Sequence, residues 1–309
     1  MQLFCKVASF VKYIKEYVRW LDGYTFLFSA LFMALAIFVN YYFGVEKSIQ
    51  QLPVLLQIAC WYFIFLLCFS VPYLLCAIRK KPLWPSSPTF RLIYFIAPAI
   101  FAWKMAGTVD VPFSSNENLN DYWNNVIYWP FKLVVVTGLL LIIWRLYFRD
   151  EPFFGFTTKN LHVRIYFYML LVMVPLVAAA ATQPDFQAMY PRMQHVQHLF
   201  DDNIGWKKLL YELSYGSDFF TIELFFRGFL VLAFAKWVGK GAILPMALFY
   251  CSIHFGKPLG ECISSFFGGL ILGVVIYHTR SFFGGLIVHL GIAWLMELGG
   301  YLGNLYLNR

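Results

Sequence analysis

Long, unbroken apolar segments follow one another along this chain of 309 residues, separated by short polar stretches. Apolar residues make up 61% of the sequence and charged residues only 13%, whereas soluble domains carry about a quarter charged residues. A water-soluble shape cannot bury this much Phe, Leu, Ile and Trp, so lipid must be the solvent. Because lipid leaves backbone polar groups no water to bind, and because the apolar segments do not alternate, we predict transmembrane α-helices.

The apolar pattern predicts an all-α, polytopic transmembrane bundle with eight or nine spans. The nine segments are 25–45, 52–78, 92–107, 126–148, 163–182, 218–237, 242–255, 259–279 and 282–306. Two of them, Leu92–Gly107 and Ala242–Phe255, are short, and the pattern also allows them a tilted or re-entrant path. No long-period repeat divides the set, so we expect one membrane domain over 23–309.

The first 22 residues have a different pattern. Their apolar side chains fall on one helical face, and the basic side chains lie largely off that face, as in Lys12, Lys15 and Arg19. This pattern is typical of an amphipathic helix that lies in the membrane interface, and it argues against a cleaved signal peptide.

Charge placement predicts the orientation and excludes one class of partner. The net charge of +8 arises mainly from basic residues in short loops beside apolar segments. This is the asymmetry of cytoplasmic loops, so we expect contact with membrane lipids and no nucleic-acid partner. The alternate loops carry acidic residues, although Lys47, Arg192, Lys207 and Lys208 also lie there. These acidic residues are Glu46, Asp110, Glu117, Asp121, Asp185, Asp201 and Asp202. We predict a cytoplasmic N-terminus and an outer insert over 183–217 that contains an interfacial helix near Trp206–Tyr215.

Ionisable side chains inside apolar segments are costly in lipid and therefore indicate function. Lys104 and Lys132 lie near predicted segment ends, where extension of the ammonium group to the surface would explain them. Most of the other ionisable residues in apolar segments lie in the last third of the chain. The ones of interest are Glu223, Arg227, His254, Glu261 and His289.

Several interpretations of these residues are open. Glu223 and Arg227 lie one helical turn apart, so they could simply neutralise each other in lipid. A single buried histidine is usually a hydrogen-bonded packing residue. One carboxylate and two imidazoles from separate helices could, however, activate a water and stabilise an oxyanion. Glu223, His254 and His289 could instead bind a catalytic zinc ion, and the sequence firmly implies no other cofactor.

Three motifs in the last third resemble a known family. They are, in order, Glu223-Leu-Phe-Phe-Arg-Gly, Phe249-Tyr-Cys-Ser-Ile-His, and Gly268-Gly-Leu-Ile-Leu-Gly leading to His289. Their order and spacing resemble the CPBP family of intramembrane CAAX-protease and bacteriocin-processing proteins, which includes the Ras-converting enzymes. The resemblance covers about 218–297 and implies a CPBP-like core in the last four segments.

The resemblance implies a role for each matched residue. His254 would activate water with one of three nearby carboxylates, Glu223, Asp218 or Glu261. His289 would stabilise the oxyanion, and Arg227 would orient Glu223. If the resemblance holds, Glu223, Arg227, His254 and His289 face a common interior cavity. The Ras-converting branch suggests a mechanism without metal.

Two family positions are replaced by apolar residues. The first of two adjacent glutamates corresponds to Ile222, and the Asn of the third motif corresponds to Ala293. Asp218, one turn before Ile222, and Glu261, beyond the break after His254, could supply the absent carboxylate. Each also has a plainer explanation: Asp218 as a helix N-cap, and Glu261 as a first-turn carboxylate favoured by the helix dipole.

The sequence therefore predicts an intramembrane endopeptidase that hydrolyses a peptide bond in a membrane protein or a lipid-anchored peptide. Ile222 and Ala293 keep a second interpretation open, namely a catalytically inactive CPBP-like scaffold or immunity protein. A transporter is disfavoured because the ionisable groups gather in one region instead of spreading over many spans. We expect an integral protein of a bacterial inner (plasma) membrane.

Overall fold

The computed structural model describes residues 2–79, 84–159, 161, 163–199 and 205–306, without the side chains of 2–9 and 197, and these residues contain no strand. The helices are α1 Gln2–Trp20, α2 Gly23–Phe43, α3 Val45–Gln50, α4 Val54–Ile78, α5 Pro88–Ala106, α6 Glu117–Tyr147, α7 Val163–Ala180, α8 Pro184–Met189, α9 Gly205–Glu223, α10 Ala235–Val238, α11 Ile243–Ser252, α12 Leu259–Thr279 and α13 Phe283–Tyr306. A π-helix, Leu224–Ala233, continues from α9. The predicted all-α class is confirmed.

Seven helices in the described part of the chain are long and apolar enough to cross a membrane: α2, α4, α5, α6, α7, α12 and α13. Eight or nine spans were predicted. The segment 242–255 forms only the ten residues of α11, far fewer than the roughly 20 that a span needs. The segment 218–237 is divided among the end of α9, the π-helix and α10. The segment 92–107 is longer than predicted, because α5 begins at Pro88.

Internal contacts divide the chain into two compact units. The first consists of Met1–Gly107, Ile142–Leu161 and Phe225–Phe282, and the second of Thr108–Leu141, His162–Leu224 and Phe283–Arg309. The single membrane domain over 23–309 and the interfacial position of α1 stay predictions, as does the orientation of the chain in the membrane.

In the first unit, α11 is buried in protein. It packs against α4 and α12, and all ten of its residues are buried. The ring of Phe249 lies 4.9 Å from that of Phe65 on α4. On α12, a Cβ atom at Gly273 would lie 2.7 Å from Cε of Met246. The missing side chain therefore permits close helix packing, and α11 is apolar because protein surrounds it.

The second unit is built around α13, which contacts α7, α8 and α9. α9 begins at Gly205, so the interfacial helix predicted near Trp206–Tyr215 and the start of the segment predicted at Asp218 belong to one helix. One buried apolar cluster of this unit consists of Tyr122, Val126, Trp129, Val196, Tyr211, Tyr215, Phe219 and Ala293.

Gly300→Ala is expected to destabilise the protein. A Cβ atom there would lie 2.5 Å from the backbone oxygen of Tyr190, which cannot rotate away. Overpacking of this kind costs about 1–3 kcal/mol. Gly138→Ala is the matched control, because a Cβ at this helical glycine meets nothing within 4 Å and should stabilise by about 0.5–1 kcal/mol. Thermal unfolding in detergent measures both, and equal Tm values would contradict this packing of α13.

Candidate functional site

Two of the predicted residues, one buried and one partly buried, form a pair in the second unit. Glu223, the last residue of α9, is fully buried, and its Oε1 lies 2.9 Å from Nδ1 of His289 on α13. An ionised carboxylate only accepts hydrogen bonds, so Nδ1 of His289 carries a proton and donates it. The hydrogen bond fixes the orientation of the imidazole and leaves Nε2 as the ring nitrogen for chemistry. The sequence had offered Glu223 as one of three candidate partners for His254.

The surroundings of this pair are mainly apolar. Phe219 packs against the His289 ring, with centroids 4.8 Å apart. Ala293 belongs to the buried cluster that contains Phe219, and Ile222 is also buried. The two apolar replacements of family positions therefore lie in the protein interior, where a carboxylate or amide would need a hydrogen-bond partner.

Asp218 is a half-buried residue well inside α9, which begins at Gly205. The interpretation of Asp218 as a helix N-cap is therefore wrong, because an N-cap residue precedes the first turn of its helix. Its role as a substitute carboxylate stays a prediction.

The first unit contains a stack of three side chains that includes two other predicted residues. Arg227, on the π-helix, is fully buried, and its guanidinium carbon lies 4.0 Å from the centre of the Tyr250 ring. The Tyr250 and His254 rings meet edge to face at 4.7 Å. A buried cation over an aromatic face is stabilised by the ring quadrupole. Tyr250 therefore links Arg227 to His254, which the motif pattern did not reveal, although its four-residue spacing from His254 is a helical neighbour spacing.

One ring nitrogen of His254 has a defined hydrogen bond. Its Nδ1 lies 2.9 Å from the backbone oxygen of Tyr250. A carbonyl oxygen only accepts, so Nδ1 is the donor and the neutral ring carries its lone pair on Nε2. This tautomer suits a general base, and only 8% of the residue's surface is exposed.

Two residues of α2 hold the turn after His254, and the sequence did not predict them as part of the site. Asn40 donates a hydrogen bond to the backbone oxygen of Phe255 at 2.8 Å, and the Tyr41 hydroxyl donates to that of Lys257 at 2.5 Å. A Cβ at Gly256 would lie 2.7 Å from Oε1 of Glu46. The sequence could have indicated this contact, because Asn40 is a polar residue in an apolar span.

Glu261 lies in the first turn of α12, where the helix dipole favours a carboxylate. Its Oε1 is 4.0 Å from Nζ of Lys257, and both side chains are partly exposed. The plainer explanation of Glu261 therefore agrees with the structure, while a catalytic role beside His254 stays a prediction.

The described residues do not provide the ligand set that the zinc interpretation requires. Within the described ranges, no three His, Cys, Asp or Glu side chains form a group that could hold a metal ion. Glu223 and His289 provide two such side chains in the second unit, and a catalytic zinc needs three protein ligands.

The prediction that Lys132 extends its ammonium group to the surface is wrong. Only 1% of this residue is exposed, and its Nζ lies 3.6 Å from the centre of the Tyr128 ring within α6. Lys104 is also buried, with its Nζ 5.0 Å from the Phe101 ring centre. Both ammonium groups are therefore accommodated by aromatic faces inside the protein.

Glu212 of α9 is expected to make stability depend on pH. Burial, followed by the nearby Glu297 carboxylate, raises the pKa of Glu212 to about 7. A raised pKa means that the folded protein holds the proton more tightly than the unfolded chain, so this stabilisation is lost as pH rises from about 4.5 through 7. Glu212→Gln should therefore raise Tm at about pH 8 and leave it nearly unchanged at about pH 4. Glu117→Gln, at an exposed position, is the control, and a pH-independent difference would refute the burial of Glu212.

Comparison with known proteins identifies a family that matches part of the chain. A family model described as "Rce1-like: Type II CAAX prenyl endopeptidase Rce1-like" matches residues 217–295. No curated protein and no solved structure matches the chain. The matched range contains Glu223, Arg227, His254 and His289, the residues on which the motif resemblance rests. Residues 217–295 of this membrane protein are thus similar to the Rce1-like type II CAAX prenyl endopeptidases, which confirms the predicted CPBP resemblance.

Proposed function

We propose that the protein is an intramembrane endopeptidase that hydrolyses a peptide bond in a lipid-anchored peptide or a membrane protein. The observation that carries the proposal is the hydrogen bond between the buried Glu223 carboxylate and the His289 imidazole. Both residues carry the motif resemblance and lie within the range that the family model matches. A structural histidine needs no buried carboxylate beside it, because a carbonyl oxygen satisfies a neutral ring at lower desolvation cost.

The proposed reaction assigns a separate step to each histidine. Nε2 of His254 accepts a proton from water, and the resulting hydroxide attacks the carbonyl carbon of the scissile bond. The carbonyl oxygen becomes an oxyanion, which accepts a hydrogen bond from Nε2–H of His289. The proton held by His254 then passes to the leaving nitrogen, the C–N bond breaks, and a carboxylic acid and an amine are released.

The other predicted site residues position or assist His254 and His289. The Glu223 carboxylate orients the His289 ring, and donation from Nε2 to the oxyanion requires the form of the ring that carries a hydrogen on both nitrogens. Arg227 acts through Tyr250, whose backbone oxygen fixes the tautomer of His254. The orientation of Glu223 by Arg227, and the assistance of Asp218 or Glu261 to His254, are further parts of the proposal.

The second candidate is an inactive scaffold or immunity protein that binds a membrane partner through the same residues. Ile222 and Ala293 favour it, because both are apolar and buried where the family has polar groups. Under this proposal the Glu223–His289 pair would stabilise the fold without chemistry.

Incubation of the purified protein in nanodiscs with prenylated CAAX-type peptides and with a transmembrane peptide distinguishes the candidates. We expect one defined cleavage product by mass spectrometry, and the matching unprenylated peptide serves as the control for lipid recognition. Ile222→Glu, which restores the family residue, should raise the rate. If every peptide stays intact with the wild type and with Ile222→Glu, the scaffold proposal is favoured.

A further inference from the structure

A cavity lies in the first unit, apart from the residues discussed so far. Its volume is about 390 Å³, within the size range of sites for small molecules. One wall comes from the loop that follows α6, the second from the end of the π-helix, and the third from the end of α12. α6 and α12 are candidate spans and end here, at Tyr147 and Thr279, so we infer that the cavity lies near a membrane surface.

The polar groups of the cavity suit an anion. Thr279 is buried, and its hydroxyl has no hydrogen-bond partner among the described residues. Lys159 and Arg280 also line the cavity and are exposed at its rim. The acidic lining residue, Glu151, already pairs with Lys236 at 2.9 Å. Two cations and an unused hydroxyl are therefore available to a ligand.

The backbone around the cavity is held in an unusual conformation. Phe154 and Arg280 are the non-glycine residues with positive φ in the described ranges, at 37° and 59°, and both line this cavity. Arg280 is the left-handed C-cap of α12, a common way for a helix to end. The positive φ of a bulky residue such as Phe154 is uncommon, and such conformations gather at ligand clamps. The Phe282 N–H donates to the backbone oxygen of Gly155 at 3.3 Å, which fastens the loop to the chain beyond α12. The cavity is therefore preformed.

We propose that this cavity binds the phosphate-bearing headgroup of an anionic phospholipid. The phosphate would accept a hydrogen bond from Thr279 and pair with Lys159 and Arg280, since ionised acceptors strengthen such hydrogen bonds. Phe148 and Leu232, which also line the cavity, would contact the adjoining glycerol and acyl carbons. A lipid supplies both the charge and the apolar part, whereas free phosphate supplies the charge alone.

The test is a titration of the full-length protein in detergent with short-chain phosphatidylglycerol, followed by native mass spectrometry and by Tm. We expect bound phosphatidylglycerol and a raised Tm, with neither for short-chain phosphatidylcholine or inorganic phosphate. Lys159→Gln and Arg280→Gln should each weaken binding about 10-fold. Arg149→Gln is the matched control, because Arg149 is exposed at the same loop and does not line the cavity.

Thr279→Val gives a result that misfolding cannot imitate. Removal of a buried hydroxyl without a partner should raise the Tm of the lipid-free protein, while the loss of the donor weakens phosphatidylglycerol binding. The proposal is overturned if Arg149→Gln weakens binding as much as Arg280→Gln, or if Thr279→Val binds as tightly as the wild type. Equal stabilisation by inorganic phosphate would overturn the assignment to a lipid.

Discussion

His254→Ala is expected to lower kcat for peptide cleavage by at least about 10²-fold, the smaller end of the effect of losing a general base. The imidazole is largely buried, and its Nδ1 donates to the Tyr250 backbone oxygen, so Nε2 is the nitrogen that can accept a proton from water. His289→Ala should cost about 10²–10³-fold, as expected for the loss of an oxyanion donor. Quantitative mass spectrometry of the product gives both rates.

The matched control for these variants is His195→Ala. His195 is exposed and lies outside the proposed machinery, so its replacement should leave the rate unchanged. Cleavage at the wild-type rate by correctly folded His254→Ala protein would contradict the assignment of the general base.

Two further variants test the substitute carboxylate. Glu261→Gln or Asp218→Asn should lower the rate at least about 10²-fold if that carboxylate assists His254. If both variants cleave normally while His254→Ala is inactive, the idea of a substitute carboxylate fails and His254 acts without one.

His289→Leu is expected to destabilise the protein by about 3–5 kcal/mol, the cost of removing one partner of a buried charge pair. The reason is that Glu223 is fully buried and loses a hydrogen bond of 2.9 Å. Glu223→Leu combined with His289→Leu should be more stable than His289→Leu alone, because the second change removes the buried carboxylate. Denaturation of the four proteins in detergent measures the coupling as a double-mutant cycle.

His195→Leu, at an exposed position, is the control for this cycle and should change stability little. Additive effects of the two replacements would mean that Glu223 and His289 do not depend on each other, which would contradict the pair.

Hydropathy predicted the long lipid-facing helices better than the rest of the fold. α2, α4, α7, α12 and α13 lie close to their predicted segments, since each is long and apolar. α11 was counted as a span because hydropathy does not distinguish burial in protein from contact with lipid. The helix predicted near Trp206–Tyr215 and the segment predicted from Asp218 form one helix, α9. Their continuity was missed because polar residues such as Lys207 and Lys208 interrupt the apolar pattern and indicate a surface position as readily as a continuing helix. The apolar pattern of the sequence does not distinguish a π-helix from an α-helix.

The residue types of the site could be predicted, but not all of their contacts. Glu223, Arg227, His254 and His289 were identified because ionisable groups are rare in spans. The contact of Glu223 with His289 depends on how α9 packs against α13, a tertiary property that spacing along one helix does not contain. Tyr250 resembled an ordinary core aromatic until its ring was found between Arg227 and His254.

The most direct test of the proposed hydrolysis is cleavage of a prenylated CAAX-type peptide in water enriched in heavy oxygen. Hydrolysis by an activated water places one heavy oxygen atom in the new carboxylate of the product. We expect this labelled product from the wild type and at least about 10²-fold less of it from His254→Ala. A wild-type protein that binds the peptide but forms no labelled product would contradict the endopeptidase proposal and support a scaffold.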